Sequence, residues 1–298
     1  MRAVRFDQYE SPSFRTILKR LGLCCTALLT LLLALIVASS ELDEFYFIGL
    51  IAAPFLIVMC LGASYLLYRE YKEAAASYQM RRDKAAITLF KAVISGDQQK
   101  FAVFLRPFYT TDKIQQTQMV MVPQWSGRSM TMTPVMMVHK LEDILVEAFR
   151  STLPVVALGK PGETFGVGRI LVHEDSWQKA ASELMQRASL LICQPSSHPG
   201  SHWEMNQIVL KHYFSKTVFI MPPNPAFRTW KELKEDWDLL KQQVDSKGIT
   251  IPEYKTDGLL FSVDATGQCI IEKFNLNSTR TLLDTFIRLS SPVIRGWG

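Results

Sequence analysis

Residues 189–223 read SLLICQPSSHPGSHWEMNQIVLKHYFSKTVFIMPP and contain a complete strand–helix–strand unit. The short apolar runs 189–194 and 217–223 predict buried strands, and the apolar residues between them recur with helical spacing over 201–214. Strands that are apolar throughout, rather than at alternate positions, are typical of a parallel sheet covered by helices on both faces. The crossover through the intervening helix is therefore expected to be right-handed.

The same alternation of strands and helices continues on both sides of this unit. Further apolar runs predict strands, and helical spacing between them predicts the connecting helices. We therefore predict a mostly parallel, doubly wound, flavodoxin-like sheet over residues 97–298. The additional predicted strands are 100–108, 154–159 and a hairpin over 258–274, and the additional predicted helices are 69–95, 139–153, 176–188, 229–244 and 278–290.

A methionine-rich segment interrupts this pattern between the first strand and its helix. Residues 117–138 contain six methionines, and their apolar residues alternate around QWSGR, which predicts a β-hairpin insertion. We interpret it as an apolar flap that packs on the domain or on a bilayer surface. A site for a soft metal ion is the alternative, although the segment contains no cysteine or histidine.

Two long uncharged stretches precede the α/β region. Residues 21–40 and 45–68 contain no charged side chain, and each is long enough to cross a hydrocarbon core as a helix. Basic residues flank both stretches, and the link between them carries only acidic ones, so both termini are expected in the cytosol. A cleaved signal peptide is the alternative for the first stretch. We predict a cytosolic segment 1–20, a helical linker 69–96, and a domain anchored to the cytoplasmic (inner) membrane.

Charge and cysteine content exclude several classes of function. The net charge of +5 is modest, and no basic stripe alternates with aromatic residues, so we expect no nucleic-acid partner. The five cysteines show neither CxxC nor zinc-finger spacing, which is typical of a reducing compartment. Pro199 and Gly200 separate His198 from His202 and argue against a helical metal-ligand pair. We therefore expect no metal site.

Several candidate site residues follow predicted strands, and ligands of a doubly wound sheet bind outside the carboxyl ends of its strands. The glycine-rich segment 159–169 would let the backbone approach a ligand, with Lys160 or Arg169 facing a phosphate. An ordinary surface loop is the alternative for this segment. The expected ligand-binding residues are Arg106, Gly159, Lys160, Gly162, Glu163 and Trp203.

Glu204, which follows the third strand, has two interpretations. Ser201-His-Trp-Glu204 matches a capping box, in which the serine and glutamate side chains bond to each other's backbone amides at a helix start. A carboxylate in the first turn also suits the helix dipole. Alternatively, Glu204 is a reacting carboxylate at the mouth of a pocket, beside Trp203, which could stack on a base. The sequence pattern leaves both interpretations open.

The order FLRPF, LEDIL, PVVALGKPGE, a tryptophan and ASLLICQPSSHPGSHWEMNQIV, within residues 100–223, resembles the TIR-like domains of bacterial membrane proteins. It is similar, more distantly, to nucleoside 2-deoxyribosyltransferases. The resemblance implies a TIR-like sheet and a catalytic glutamate at the position of Glu204. It also implies a nucleotide-type ligand, with NAD or a nucleoside as substrate and no bound cofactor. An ionised carboxylate would stabilise the charge that develops on the ribose, or form a sugar ester. A non-catalytic, membrane-tethered signalling scaffold that forms homo-oligomers is the alternative.

Overall fold

A computed structural model of the chain describes its backbone over nine ranges. Within them, the side chains of 46–56, 113–123 and 130–139, and a few within 230–245, are not described. The predicted span 21–40 and the predicted site residues Lys160, Gly162 and Glu163 lie outside the described residues. The described ranges are 46–106, 113–123, 130–159, 166–196, 198–223, 230–245, 249–264, 266–275 and 278–290.

Helix α1, Tyr46–Ile94, is continuous and is followed by Gly96, whose positive φ of 95° suits glycine. The described residues divide into two compact units, one ending at Arg81 and the other beginning at Arg82. Within the described residues, no helix has both the length and the hydropathy needed to cross a bilayer. Several apolar side chains of α1 are more than half exposed, among them Ile57, Val58, Leu61, Tyr65, Leu66 and Tyr68.

Nine strands follow α1 in the described residues. They are β1 (Ala102–Leu105), β2 (Lys113–Pro123), β3 (Met130–Lys140), β4 (Val155–Gly159), β5 (Gly168–Leu171), β6 (Leu190–Cys193), β7 (Thr217–Met221), β8 (Leu259–Val263) and β9 (Cys269–Lys273). Seven of them form one mixed sheet in the order β5-β4-β1-β6-β7-β8-β9. The first five strands in this order, β5, β4, β1, β6 and β7, are parallel to one another. Strands β8 and β9 are added to the sheet in antiparallel pairing. The prediction of a mostly parallel α/β sheet is confirmed.

The order of the strands creates a switch point at the centre of the sheet. Apart from the short edge strand β5, the parallel strands run β4-β1-β6-β7, so the chain moves one way from β1 to β4 and the other way to β6. A crevice forms at such a point, outside the carboxyl ends of the two central strands. Here those strands are β1 and β6, which are paired from Ala102↔Leu190 to Leu105↔Cys193.

Helices cover both faces of this sheet. Their bounds are α2 (Leu141–Phe149), α3 (Trp177–Arg187), α4 (Pro199–Leu210), α5 (Trp230–Asp245) and α6 (Thr279–Leu289), with a 3-10 turn at Tyr213–Lys216. One core lies among α3, α4, α5 and the end of α1, where Leu89 and Val93 are buried, and the other lies under α2 and α6. Because the end of α1 belongs to this core, the compact unit needs residues before 97, where the sequence predicted the domain to begin.

The methionine-rich segment forms the predicted hairpin. Strands β2 and β3 pair antiparallel from Lys113↔Lys140 to Pro123↔Met130 and form a two-stranded sheet of their own. The hairpin therefore extends beyond the predicted 117–138 at both ends.

Strand β5 was not predicted. Its first two residues end the glycine-rich segment 159–169, for which the sequence left a surface loop as the alternative. Its four residues pair with β4 from Val156↔Gly168 to Gly159↔Leu171. The amide of Arg169 donates to Asp83 Oδ1 at 2.8 Å, which ties the strand to the end of α1.

Candidate functional site

Helix α4 begins earlier than the sequence predicted, and this rules out one of the two interpretations of Glu204. The helix starts at Pro199, and its N-cap is His198, whose Nδ1 accepts a hydrogen bond from the Gly200 amide at 3.2 Å. Proline is favoured at a first helical position, where its missing N–H leaves no bond unmade. Ser201 and Glu204 therefore lie inside the helix. The capping-box interpretation is wrong.

Glu204 is instead a buried acid, with 5% of its surface exposed. No hydrogen bond or ion pair joins its carboxyl to another residue in the described part of the chain. Burial raises the pKa of Glu204 to about 8, and the nearby positive charge of Arg106 opposes part of this rise. At pH 7 the carboxyl is therefore mostly protonated and can donate a hydrogen bond.

Arg106 directly follows β1, where the sequence predicted it, and is buried. Its Nε lies 2.7 Å from Oε1 of Glu142, the second residue of α2. The other oxygen, Oε2, accepts a hydrogen bond from the Val167 amide at 3.0 Å and lies 3.6 Å from Arg169 Nη2. One buried carboxylate is thus shared by two buried guanidinium groups. Removing one partner from such a network strongly destabilises the fold, because the remaining charge stays buried without compensation.

The glycines of segment 159–169 make room for this ion network. A Cβ added at Gly159 would come within 2.8 Å of Arg169 Cδ, and one at Gly166 would lie 1.2 Å from Glu142 Oε2. The expectation that Arg169 lies in a loop and faces a phosphate is corrected, because Arg169 is in β5, 3% exposed and beside Glu142. Gly159 and Gly166 therefore allow the close packing of side chains within the domain.

Trp203 lies on α4 beside Glu204 but is packed against another indole. Its ring centroid is 5.0 Å from that of Trp177 on α3, with the planes inclined at 71°. This edge-to-face pair lies against the core under α3 and α4. One side of the ring thus has a partner within the domain, and base stacking by Trp203 stays a prediction.

Gln194 is a site residue that sequence analysis missed. It follows β6, and its backbone N–H donates to Leu105 O at 2.8 Å. Gln194 therefore lies beside Arg106 at the adjoining ends of the two central strands. Its side chain is buried, with the residue 8% exposed, and its Oε1 accepts no hydrogen bond from the described residues. An unpaired buried carbonyl costs about 1–3 kcal/mol, so this atom is a natural contact for a ligand. A polar residue that ends the apolar run SLLICQ was the available signal.

Three polar groups that differ in charge and in hydrogen-bonding capacity therefore lie around the switch point. Glu204 offers a neutral carboxyl, Gln194 an amide oxygen that accepts, and Arg106 a positive charge held by Glu142. Together they can hydrogen-bond a polar ligand, and the carboxyl can exchange a proton near neutral pH. Burial and Glu204 raise the pKa of Cys193 well above its usual range, so this neighbouring thiol is a poor nucleophile.

In the part of the chain that the structure describes, no group of three or more histidine, cysteine, aspartate or glutamate side chains is placed to hold a metal ion.

Comparisons with models of protein families, with curated proteins and with solved structures find no match to this chain. The TIR-like resemblance therefore depends on the sequence blocks quoted above, and the candidate site depends on its own geometry.

Proposed function

We propose that the α/β domain binds a nucleotide-type ligand at the carboxyl ends of β1 and β6 and cleaves an N-glycosidic bond through Glu204. The observation that carries the proposal is a buried carboxyl, without a bonded partner among the described residues, beside a buried arginine at the switch point. Burying an acid without a partner costs free energy. Acids with such raised pKa values are concentrated at functional sites.

The protonation state of Glu204 sets its role with each class of substrate. In NAD the glycosidic nitrogen belongs to a positively charged pyridinium ring, and a positive charge close to a carboxyl lowers its pKa. Binding would therefore ionise Glu204 and release a proton to solvent. With a neutral base, the protonated carboxyl could instead donate its proton to the departing nitrogen.

The bond changes in the pyridinium case need only Glu204 and water. The carbon–nitrogen bond breaks, and its electron pair returns to the ring nitrogen, so the leaving base becomes neutral. The positive charge that develops on the ribose meets the Glu204 carboxylate, which stabilises it or forms a sugar ester. Water then supplies a hydroxyl group to the ribose carbon, and its remaining proton leaves to solvent.

The neighbouring residues would orient the ligand. Gln194 Oε1 is available to accept an N–H of the base or of its carboxamide. Arg106 would attract a phosphate or hydroxyl oxygen while Glu142 holds its guanidinium in place. The β4-β1-β6-β7 order, shared with doubly wound nucleotide-binding sheets, supports a nucleotide-type ligand and a TIR-like relationship.

We also propose that segments 21–40 and 45–68 hold the chain at the cytoplasmic membrane, with both termini in the cytosol. Support comes from the uncharged sequence and from exposed apolar side chains on α1, including Ile57, Leu61 and Leu66. Apolar side chains exposed in this way are unfavourable in water and compatible with lipid. Membranes isolated from cells that express the protein can be extracted with alkaline carbonate. The protein should stay in the pellet, and its release into the supernatant would contradict anchoring.

The activity is tested with the full chain in detergent micelles. The protein is incubated with NAD and with a panel of nucleosides and nucleotides, and released base is separated by chromatography. Glu204→Gln should abolish release, whereas Glu183→Gln, on the surface of α3, should leave it unchanged. Absence of base release from every compound by a folded protein would reject glycosidic cleavage. Equal release by Glu204→Gln would reject Glu204 as the catalytic residue.

A further inference from the structure

The two edges of the main sheet are protected to different extents. At the β5 edge, Gly168, Arg169 and Ile170 are buried, and the Asp83 carboxylate accepts the Arg169 amide. At the opposite edge, every residue of β9 is at least partly exposed, with Ile270 52% and Ile271 49% exposed. Open edges with apolar residues are rare in natural sheets because they pair readily with further strands.

The hydrogen-bond pattern of β9 identifies the backbone groups at this open edge. The Asp264 amide donates to Gln268 O at 2.9 Å, so this pair is hydrogen-bonded next to the turn. Bonded and non-bonded pairs alternate along an antiparallel ladder. Ile270 and Glu272 therefore bond to β8, and Cys269, Ile271 and Lys273 direct their amides and carbonyls outward. Among the described residues, no strand pairs with this outer edge.

We propose that two copies of this chain pair through β9, antiparallel about a two-fold axis at Ile271, so that their seven-stranded sheets become continuous. In this register Ile271 lies opposite its own copy, and Cys269 lies opposite Lys273 of the second copy. All three outward-facing residues then pair with outward-facing residues, as an antiparallel ladder requires.

Neighbouring registers are less favourable. If the register between the two copies were shifted by one residue, each outward-facing residue would lie opposite a residue that is already bonded to β8. An axis at Glu272 would place two carboxylates directly opposite each other, which is destabilising. An axis at Ile270 would leave Lys273 outside the paired strand. Only the axis at Ile271 uses all five residues of β9 without opposing like charges, so the edge can pair in full with a second copy of itself.

The pairing is independent of the proposed activity, because β7 and β8 lie between the site and β9. A five-residue edge gives a small interface, so the dimer is expected to dissociate on dilution. Sedimentation of the full chain in detergent, over a range of concentrations, measures this equilibrium. Ile271→Lys should raise the dissociation constant about tenfold or more. Leu239→Lys, at an equally exposed leucine of α5, should leave it unchanged.

Cross-linking supplies a second measurement that does not depend on a charged substitution. In Ile271→Cys the new thiols would meet at the two-fold axis, and a short bis-maleimide should join two chains. The wild-type chain and Leu239→Cys, treated identically, should give far less covalent dimer. A chain that is monomeric at all concentrations, or an Ile271→Lys variant that dimerises as the wild type does, would overturn the proposal. Equal cross-linking at both positions would also overturn it.

Discussion

Arg106 and Glu142 form a buried ion pair at the carboxyl end of β1, with Nε of the arginine 2.7 Å from Oε1 of the glutamate. Because the guanidinium is held there, its charge reaches Glu204 without forming an ion pair with it. The charge of Arg106 therefore offsets only part of the effect of burial, and the pKa of Glu204 stays at about 8.

Glu142→Gln should destabilise the domain strongly, because two buried guanidinium groups would lose their shared negative charge. We expect a loss of about 3–5 kcal/mol in the free energy of unfolding, measured by urea denaturation. Glu147→Gln, on the exposed side of the same helix, is the matched control and should change it by less than about 1 kcal/mol. Equal effects of the two substitutions would show that the ion network contributes little.

Gly159→Ala tests whether this glycine makes room for Arg169. The added methyl group would lie 2.8 Å from Arg169 Cδ, so the arginine side chain must move, at a cost of about 1–3 kcal/mol. At Gly200 the nearest atom to an added Cβ is 3.4 Å away, which is an ordinary contact. Gly200→Ala should therefore be tolerated in the same denaturation experiment. A neutral Gly159→Ala would contradict the tight packing.

Stability should depend on pH through Glu204. Its pKa is raised from 4.5 in the unfolded chain to about 8 in the folded one, so the folded state retains the proton more strongly. This contribution is fully present below pH 4.5 and is lost as pH rises through 8, with a total of a few kcal/mol. Urea denaturation from pH 5 to 9 should show a fall that Glu204→Gln removes. Parallel curves for the two proteins would contradict the raised pKa.

Lys216 should stabilise the end of α3. Its ammonium donates to the carbonyls of Met185, Gln186 and Ala188 at 2.7, 2.9 and 3.1 Å, which the helix itself leaves unpaired. Lys216→Met should lower the free energy of unfolding by about 1–3 kcal/mol. Lys211→Met, at an exposed lysine in the same segment, is the control and should have little effect. Similar thermal unfolding of both variants and the wild type would rule out this role.

Sequence patterns located the central strands because β1, β4, β6 and β7 are continuous apolar runs. The rule that ligands bind at carboxyl ends then selected Arg106 and Glu204. Strand β5 escaped because it is short and contains glycine and a buried arginine. The start of α4 was misplaced because His198 caps it, whereas Ser201 matches the commoner motif.

The ion network and the unpaired Gln194 oxygen could not be predicted from the sequence. Arg106, Glu142 and Arg169 come from three separate segments, and only side-chain geometry shows that they meet. Gln194 likewise looks like any polar residue after a strand until its burial and unpaired oxygen are known. No periodicity in the sequence encodes either feature.

The most direct test of the central claim is the pH dependence of base release from NAD by the full chain and by Glu204→Gln. Because the ionised carboxyl is the form that stabilises the ribose cation, kcat/KM should rise with pH, reach half its maximum near pH 8, the pKa of the free site, and level off above it. Glu204→Gln should lower the plateau by about 100-fold or more. A rate that does not change between pH 6 and 9, or a profile that Glu204→Gln leaves intact, would contradict the role assigned to Glu204.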